Sequence, residues 1–408
     1  MSEPSAISRP QVLEFEEGRR IVVDSVRPFV HKLRTEGVAL DDAYGRILAE
    51  SVRAERDYPA LARSLRDGYA VRSADIPGTL NVRGEVRAGD QLQSDLLPGE
   101  ALEIMTGAPV PAGADAVVMI EHVTRIGERV QIDQSSEAGQ FINQRGAEAV
   151  SGTELIPAGT RLDASHIATL ATIGQRSVHV FAKPRVAIVA TGDEIVALHE
   201  QPAPHQIRNS NSHMLASLVR AAGGEPTVLP VAHDTRDALR PLLQEGLTFD
   251  LLVVTGGVSA GKYDLVKPAL RELGVTFRFE RVRIQPGQPT AFGTAAGGKP
   301  VVGLPGNPGS SLITFQLFAK PALELLAGAQ EVLLPLLSAR FEAPFRHKPG
   351  LTRFLPARLN ADGQHIRHIS WQGSSDIPAL AKANCFLVAD HDRESWAVGD
   401  SIRVMLKA

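Results

Sequence analysis

A chain of 408 residues exceeds what one compact core accommodates, so two to four domains are expected. With 43% hydrophobic and 22% charged residues and a net charge of −3, it reads as an ordinary soluble globular protein with no basic footprint for nucleic acid. No apolar run reaches membrane-spanning length, the acid-studded start MSEPSAISRPQVLEFEEGRR has no secretory core, and a lone cysteine, Cys385, excludes an internal disulfide framework or a multi-cysteine metal site. The expectation is a cytoplasmic protein without membrane or nucleic-acid partners, in which Cys385 is a small core residue.

Val22, Val26, Phe29, Val30 and Leu33 recur at helical spacing and predict a helix within residues 12–35, with Pro28 inside it. From about 54 to 149 the texture turns to short β-prone pieces broken by Gly and Pro, among them LNVRGEVRAGD and LEIMTGAPVPAGADAVVMIEHV, which predicts an inserted β-rich domain. Residues 155–180 return to a helical pattern around DASHIATLATIG. Segments 1–53 and 150–182 are therefore expected to join as one elongated domain, interrupted by the insertion at 54–149. Over 183–330, Val- and Ile-rich strands alternate with helices: PRVAIVATG, SNSHMLASLVRAAGG, PTVLPV, DTRDALRPLLQEGL with Asp234 as a possible N-cap, FDLLVVTGG, YDLVKPALRELG, VTFRFERVRI, KPVVGLPG, and a long helix from NPGSS. That alternation predicts a doubly wound α/β domain whose parallel sheet is covered on both faces. Residues 331–408 are β again and predict a C-terminal, barrel-like β domain. The fold class is α/β multidomain.

In parallel sheets, ligands sit beyond the carboxyl ends of the strands, which makes three loops candidates. The loop ATGDEIV puts Asp193 and Glu194 at a strand end, either as an acidic helix cap or as ligand-binding carboxylates. The stretch LLVVTGGVSAGKYDLV carries Gly256 followed five positions on by Gly261-Lys262, the spacing of a P-loop. Tyr263, however, stands where a P-loop needs a small hydroxyl for Mg²⁺, which argues against an ordinary triphosphatase. Gly256, Gly257 and Gly261, with Ser259, either cradle a phosphate by another route or form a tight turn. In GLPGNPGSS, Pro305 and Pro308 fix the approach and Gly306 permits an unusual backbone angle. Asn307 or Ser310 then starts a helix whose free N–H groups favour an anion. Consecutive loops of one sheet converge, and carboxylates beside phosphate-binding backbone repel the ligand unless a hard cation such as Mg²⁺ lies between them. His199, His205, His213 and His233 fit no zinc spacing and read as solvated loop residues.

Seven motifs, RDGYAV, MTGAPVPAGADAVV, ATGDEI, IRNSNSHML, TGGVSAGKYD, PGQPTAFG and GLPGNP, occur in this order over residues 66–308. They resemble the molybdopterin molybdenumtransferase family, the MoeA proteins and the E domain of gephyrin, and the likeness covers essentially the whole chain. The resemblance implies an enzyme of molybdenum cofactor biosynthesis that takes adenylylated molybdopterin and molybdate and releases AMP in a Mg²⁺-dependent step. It also implies a homodimer of four-domain subunits with the cleft shared between subunits, and the molybdopterin adenylyltransferase is a possible partner. By motif position, Asp67, Glu194 and Asp264 are the expected catalytic acids, and these three with Glu148 are the expected metal ligands. Thr106 falls on a cleft threonine, and Ser259 with the three glycines would hold the phosphate region. Pro305, Gly306, Asn307, Pro308 and Ser310 form the pterin-side loop, and Ser374 in QGSSD is a C-terminal serine near the cleft.

The departures concern charge. Gln285 and Gln288 in RIQPGQP stand where lysines are expected, with Arg281 at another basic position and Arg283 beside it. Glutamine binds an oxyanion without charge, and a charge-assisted hydrogen bond is roughly twice as strong as a neutral one. Asn209 replaces an acid, Glu148 an aspartate, Asn143 and Gln144 arginines, and Leu351 an arginine with Arg353 as its substitute. Two alternatives follow: a weakened homologue that binds or scaffolds the pterin without turnover, and a molybdopterin adenylyltransferase.

Overall fold

The computed structural model describes residues 12–92, 94–258 and 265–407. By contact the chain divides into two compact units, Glu50–Ala158 with Ala164–Arg176, and Met1–Ala49 with Gly159–Asp163 and Ser177–Ala408. The four-domain division proposed from the sequence is finer than this.

The smaller unit is built on a six-stranded sheet in the order Ala116–Met119, Gly68–Val71, Glu100–Ile104, Gly78–Val86, Arg129–Ile132, Val123–Ile126. Successive strand residues face opposite sides, so Tyr69 and Val71 join one buried cluster while Ala70 joins the other with Ile104 and Val117. Gly68 of the RDGYA motif is fixed by crowding, since a Cβ there would collide with the Val118 carbonyl. The helical pattern expected over 155–180 gives a helix only at Ala164–Thr172, flanked by strands Glu154–Ile156 and Ser177–Phe181. Pro157 and the alternating Val178 and Val180 favour extended backbone in those flanks.

In the larger unit the first helix spans Phe15–Val26 and buries Phe15, Gly18, Val22 and Val26 on one stripe. It ends earlier than its apolar spacing predicts, passing into a 3-10 turn at Arg27–Lys32 where Pro28 supplies no N–H for the α-helical ladder. Strand Thr35–Ala39 pairs antiparallel with Ser177–Phe181, so the two segments flanking the insertion meet in one ribbon.

The central sheet has the order Glu225–Val228, Arg185–Ala190, Leu251–Thr255, Pro300–Leu304, Ala291–Thr294, Thr276–Phe279. Its first four strands are parallel, whereas Ala291–Thr294 runs antiparallel to both of its neighbours, which makes the sheet mixed. The reason is chain length: residues 295–299 can close a hairpin but cannot form a parallel crossover, which needs a dozen residues or more. Both faces are covered as expected. Val186, Ile188, Val253 and Val302 pack in one core with Leu215, Phe315 and Phe318, and Ala187, Val189, Val254 and Val301 pack in the other with Leu239, Leu243 and Leu270. Phe318 is wholly buried, so its replacement by alanine is expected to cost about 3–5 kcal/mol.

The long helix after GLPGNP is not uniform. It runs Pro308–Thr314, widens into a π turn at Phe315–Ala319 and resumes at Lys320–Leu326. Pro321 cannot donate to the carbonyl of Leu317, and Arg19 takes its place, Nη1 donating to Leu317 O at 3.3 Å and Nη2 to Val332 O at 3.0 Å.

At the C-terminus, strands Thr352–Leu359, His365–His368, Leu336–Phe341, Ser401–Leu406 and Cys385–Ala389 close on themselves as a five-stranded barrel, with Ile284–Gln285 added alongside the first. Cys385 lies buried in the barrel wall, where burial pushes its thiol up to about 11, consistent with a core role. Among the described residues no helix is long and apolar enough to cross a membrane.

Candidate functional site

Three strands, Arg185–Ala190, Leu251–Thr255 and Pro300–Leu304, end side by side, and the loops that follow them line a single cleft of about 960 Å³. That is the upper end of the range for small-molecule sites. Glu194, Gly256, Gly257, Pro305, Gly306, Asn307, Pro308 and Ser310 all face it, so the expected convergence of the three loops occurs. Ser259, Gly261 and Asp264, with Lys262 and Tyr263, lie outside the described residues.

The glycines are dictated by crowding between loops. Gly256 has φ +95°, and a Cβ on it would stand 2.5 Å from the carbonyl oxygen of Thr191. Gly257 is also left-handed, at φ +62°. Gly306 differs from expectation: its φ lies outside the left-handed region, and a Cβ there would make only ordinary contact with Gly256 Cα at 3.7 Å. The bend at Gly306 and Asn307 is therefore made without an unusual angle at the glycine.

A buried polar knot ties the loops together. Asn211 Nδ2 donates to Gly306 O at 2.6 Å and to Thr255 Oγ1 at 3.0 Å, while Thr255 Oγ1 also reaches Pro305 O and Ser311 Oγ, and Ser311 Oγ donates to Pro305 O. Asn209 caps the helix Ser210–Ala221 by accepting from Ser212 N at 3.1 Å, which gives the residue that replaces a family acid a structural task.

The helix start at Pro308 is less open to anions than its sequence suggests. Pro308 has no N–H, and Gly309 N donates to Ser374 O at 2.7 Å. Asn307 makes no side-chain cap; its Nδ2 donates instead to Ser374 Oγ at 2.9 Å. Ser374 thus adjoins the cleft through the barrel loop, whose Ser375 and Ile377 line it.

Asp234 is a possible N-cap by sequence, yet Thr235 is the N-cap, its side chain accepting from Ala238 N. Asp234 lines the cleft, held by Thr191 Oγ1 donating to its Oδ1 at 3.3 Å. It is therefore a cleft carboxylate beside Glu194, missed because the two roles lie one residue apart. Asp193 turns away from this pair: its Oδ1 accepts from Asp234 N and meets His233 Nδ1, both at 3.1 Å, and these bonds hold its carboxyl below the usual range.

Arg281, Gln285 and Gln288 do not line the cleft, although Pro289 does. Gln285 is the register partner of Arg353 on the barrel strand, and Arg353 Nε is buried without a partner among the described residues. Arg283 is already engaged, pairing with Glu14 at 3.0 Å.

In the smaller unit, Thr106 donates to Asp67 Oδ1 from both its N–H, at 2.6 Å, and its hydroxyl, at 2.8 Å. Those two bonds lower the Asp67 carboxyl below its ordinary value and keep it ionised. Glu148 is exposed and accepts from Asn143 Nδ2 at 2.8 Å. Among the described residues, which leave out Asp264, no group of three or more His, Cys, Asp or Glu side chains could hold a metal ion.

Residues 187–325, which contain the cleft loops, match the family model described as a probable molybdopterin binding domain. That sets the class: an α/β protein of the molybdopterin-binding type. Residues 13–174 match the MoeA N-terminal region (domain I and II), and residues 338–407 the MoeA C-terminal region (domain IV). A molybdopterin molybdenumtransferase of Bacillus subtilis is 33% identical over 386 residues, covering 91% of this chain and 90% of that one. One from Staphylococcus epidermidis is 31% identical over 385 residues, 92% of each chain. A solved molybdopterin biosynthesis MoeA protein from Pyrococcus horikoshii OT3 superposes with a TM-score of 0.82 at 28% identity, over 97% of this chain and 100% of that one. The chain belongs to the MoeA family, the molybdopterin molybdenumtransferases.

Proposed function

We propose that this protein joins molybdenum from molybdate to adenylylated molybdopterin and releases AMP, as a homodimer and with Mg²⁺. The observation that carries the reading is the convergence of Glu194 and Asp234 with the Gly256–Gly257 and Pro305–Pro308 loops on one cleft. Two carboxylates suit Mg²⁺, which keeps several waters and is usually bound through one or two carboxylates plus substrate phosphate oxygens. Glu194, Asp234 and Asp264 would hold the ion on the sheet side, and when bound it neutralises phosphate charge as a Lewis acid.

This chain's own groups do the rest. Gly256 and Gly257 would let backbone amides approach the phosphate, and Gly261 and Ser259, by motif position, would add to them. The Pro305–Pro308 turn, braced by Asn211 and Ser374, seats the pterin side. Ionised Asp67, oriented by Thr106, would be supplied from a partner subunit to accept a proton or orient water at the anhydride, with Glu148 as a further acid. Arg281, Gln285, Gln288 and Arg353, whose Nε is buried without a partner among the described residues, lie outside the described cleft lining, so an oxyanion contact from them would form beyond it.

The test is purified protein with adenylylated molybdopterin, molybdate and Mg²⁺, scored for AMP release and active cofactor. Turnover should vanish on chelation and return with Mg²⁺, and Asp67→Ala should abolish it while leaving the unfolding midpoint within a few degrees. Activity indifferent to chelation would end the metal part of the reading. Because Gln285 and Gln288 are neutral, a second reading stands beside this one: a pterin-binding scaffold, selected by tight substrate binding without AMP release.

A further inference from the structure

We propose that Arg208 is the anion-binding side chain of the cleft, holding a phosphate or comparable oxyanion of the bound ligand. The inference rests on the reading of the cleft as a molybdopterin site, and goes beyond it by naming the cation. Glu194 and Asp234 make the described lining acidic, and Arg208 is its one cationic side chain among the described residues. A phosphorylated ligand enters such a cleft against repulsion unless positive charge is built in, and an arginine fork matches tetrahedral oxyanions through paired N–H donors.

The backbone presents Arg208 beside the carboxylate side. Ile207–Arg208 pairs in parallel with Ile195–Val196, and Ile207 N donates to Glu194 O at 2.8 Å. The guanidinium is then anchored from behind. Its Nε is shared between Leu198 O and Glu200 O, each at 3.1 Å, and Nη2 reaches Gln201 Oε1 at 3.4 Å. All three acceptors are neutral, so the head is oriented while its charge stays uncompensated. The described residues offer it no ion pair, and the Nη1 protons remain open for a ligand. The other expected oxyanion ligands are placed elsewhere: Arg283 pairs with Glu14, and Arg281, like the neutral Gln285 and Gln288, does not line the cleft.

The experiment is calorimetric titration of the full chain with AMP, adenosine and inorganic phosphate, each at low and moderate NaCl, for the wild type, Arg208→Gln and Arg208→Lys. Losing a charge-assisted contact should weaken AMP binding about tenfold in Arg208→Gln. Adenosine binding should be unchanged, and the salt dependence of AMP binding should shrink. Arg208→Lys keeps the charge without the fork and should fall between. It also stands in for the glutamine variant should loss of the Leu198 and Glu200 anchors unfold that protein, as the unfolding midpoints will show. Equal AMP affinity in wild type and variants, or adenosine affinity lost in step with AMP, would overturn the assignment. Wild-type protein that ignores AMP yet binds phosphate through Arg208 would remove the molybdopterin reading and keep the arginine's role. Binding of neither anion would overturn that role as well.

Discussion

Replacing Asn211 tests whether the polar knot beneath the cleft sets its shape. The amide orientation is unambiguous, because Gly306 O can only accept and lies 2.6 Å from Nδ2. Asn211→Leu removes that bond and the one to Thr255 Oγ1, each worth about 1 kcal/mol net. Against this, Asn211 Oδ1 is buried without a partner among the described residues, and deleting it returns about 1 kcal/mol of desolvation. The leucine variant should therefore lose about 1 kcal/mol. Asn211→Asp keeps the shape but sets an oxygen against Gly306 O, so it should be less stable than the leucine variant at pH 8. Burial raises the folded-state pKa of such a carboxyl, so ionisation favours the unfolded chain. The aspartate variant should recover stability as pH falls through that raised value, where a protonated oxygen can donate to Gly306 O. Urea unfolding followed at several pH values reads all three proteins, and substrate affinity should fall in both variants as the Pro305–Pro308 turn loosens. A leucine variant as stable as the wild type, or an aspartate variant no worse than leucine at pH 8, would refute the reasoning.

Gly256→Ala should destabilise by about 1–2 kcal/mol from its left-handed backbone alone, and further because the new methyl meets Thr191 O, seen as a lower thermal midpoint with ligand binding lost. Thr106→Val removes one of the two donors on Asp67, so the aspartate should titrate nearer its ordinary value in an NMR titration. The sign follows from linkage: a depressed carboxyl stabilises the fold above its unfolded pKa, and that stability is lost as pH falls through the folded value. Valine at 106 should thus flatten the acid-side slope, and an unchanged titration would mean the backbone N–H alone sets it. Arg19→Met should cost about 1–3 kcal/mol by stranding Leu317 O beside Pro321, and a neutral result in chemical unfolding would mean water replaces the guanidinium.

Local rules carried the reading far in the α/β domain. Its strands are apolar runs closed by glycine or proline, and the loops after Ala190, Thr255 and Leu304 could be named as ligand-facing from chain order alone. What escaped depended on distance in space. Strand direction at Ala291–Thr294 follows from a connection of only five residues, not from any periodicity. Asp234 and Thr235 are adjacent polar residues before a helix, and only the loop path decides which one caps and which one faces the cleft. Ser374 lies 65 residues beyond Gly309, so nothing near the helix start announces that its amide is taken. Arg208 sat inside a recognised motif, but its free charge becomes visible only when Leu198, Glu200 and Gln201 are seen around it.

The bond from Gly309 to Ser374 carries a consequence for how the protein comes into being. A later-made loop lends one wall, Ser375 and Ile377, to a hollow whose other sides are translated well before it. Completion of that side therefore waits until Ser374, Ser375 and Ile377 have been made, so a shorter nascent chain carries the sheet loops without it.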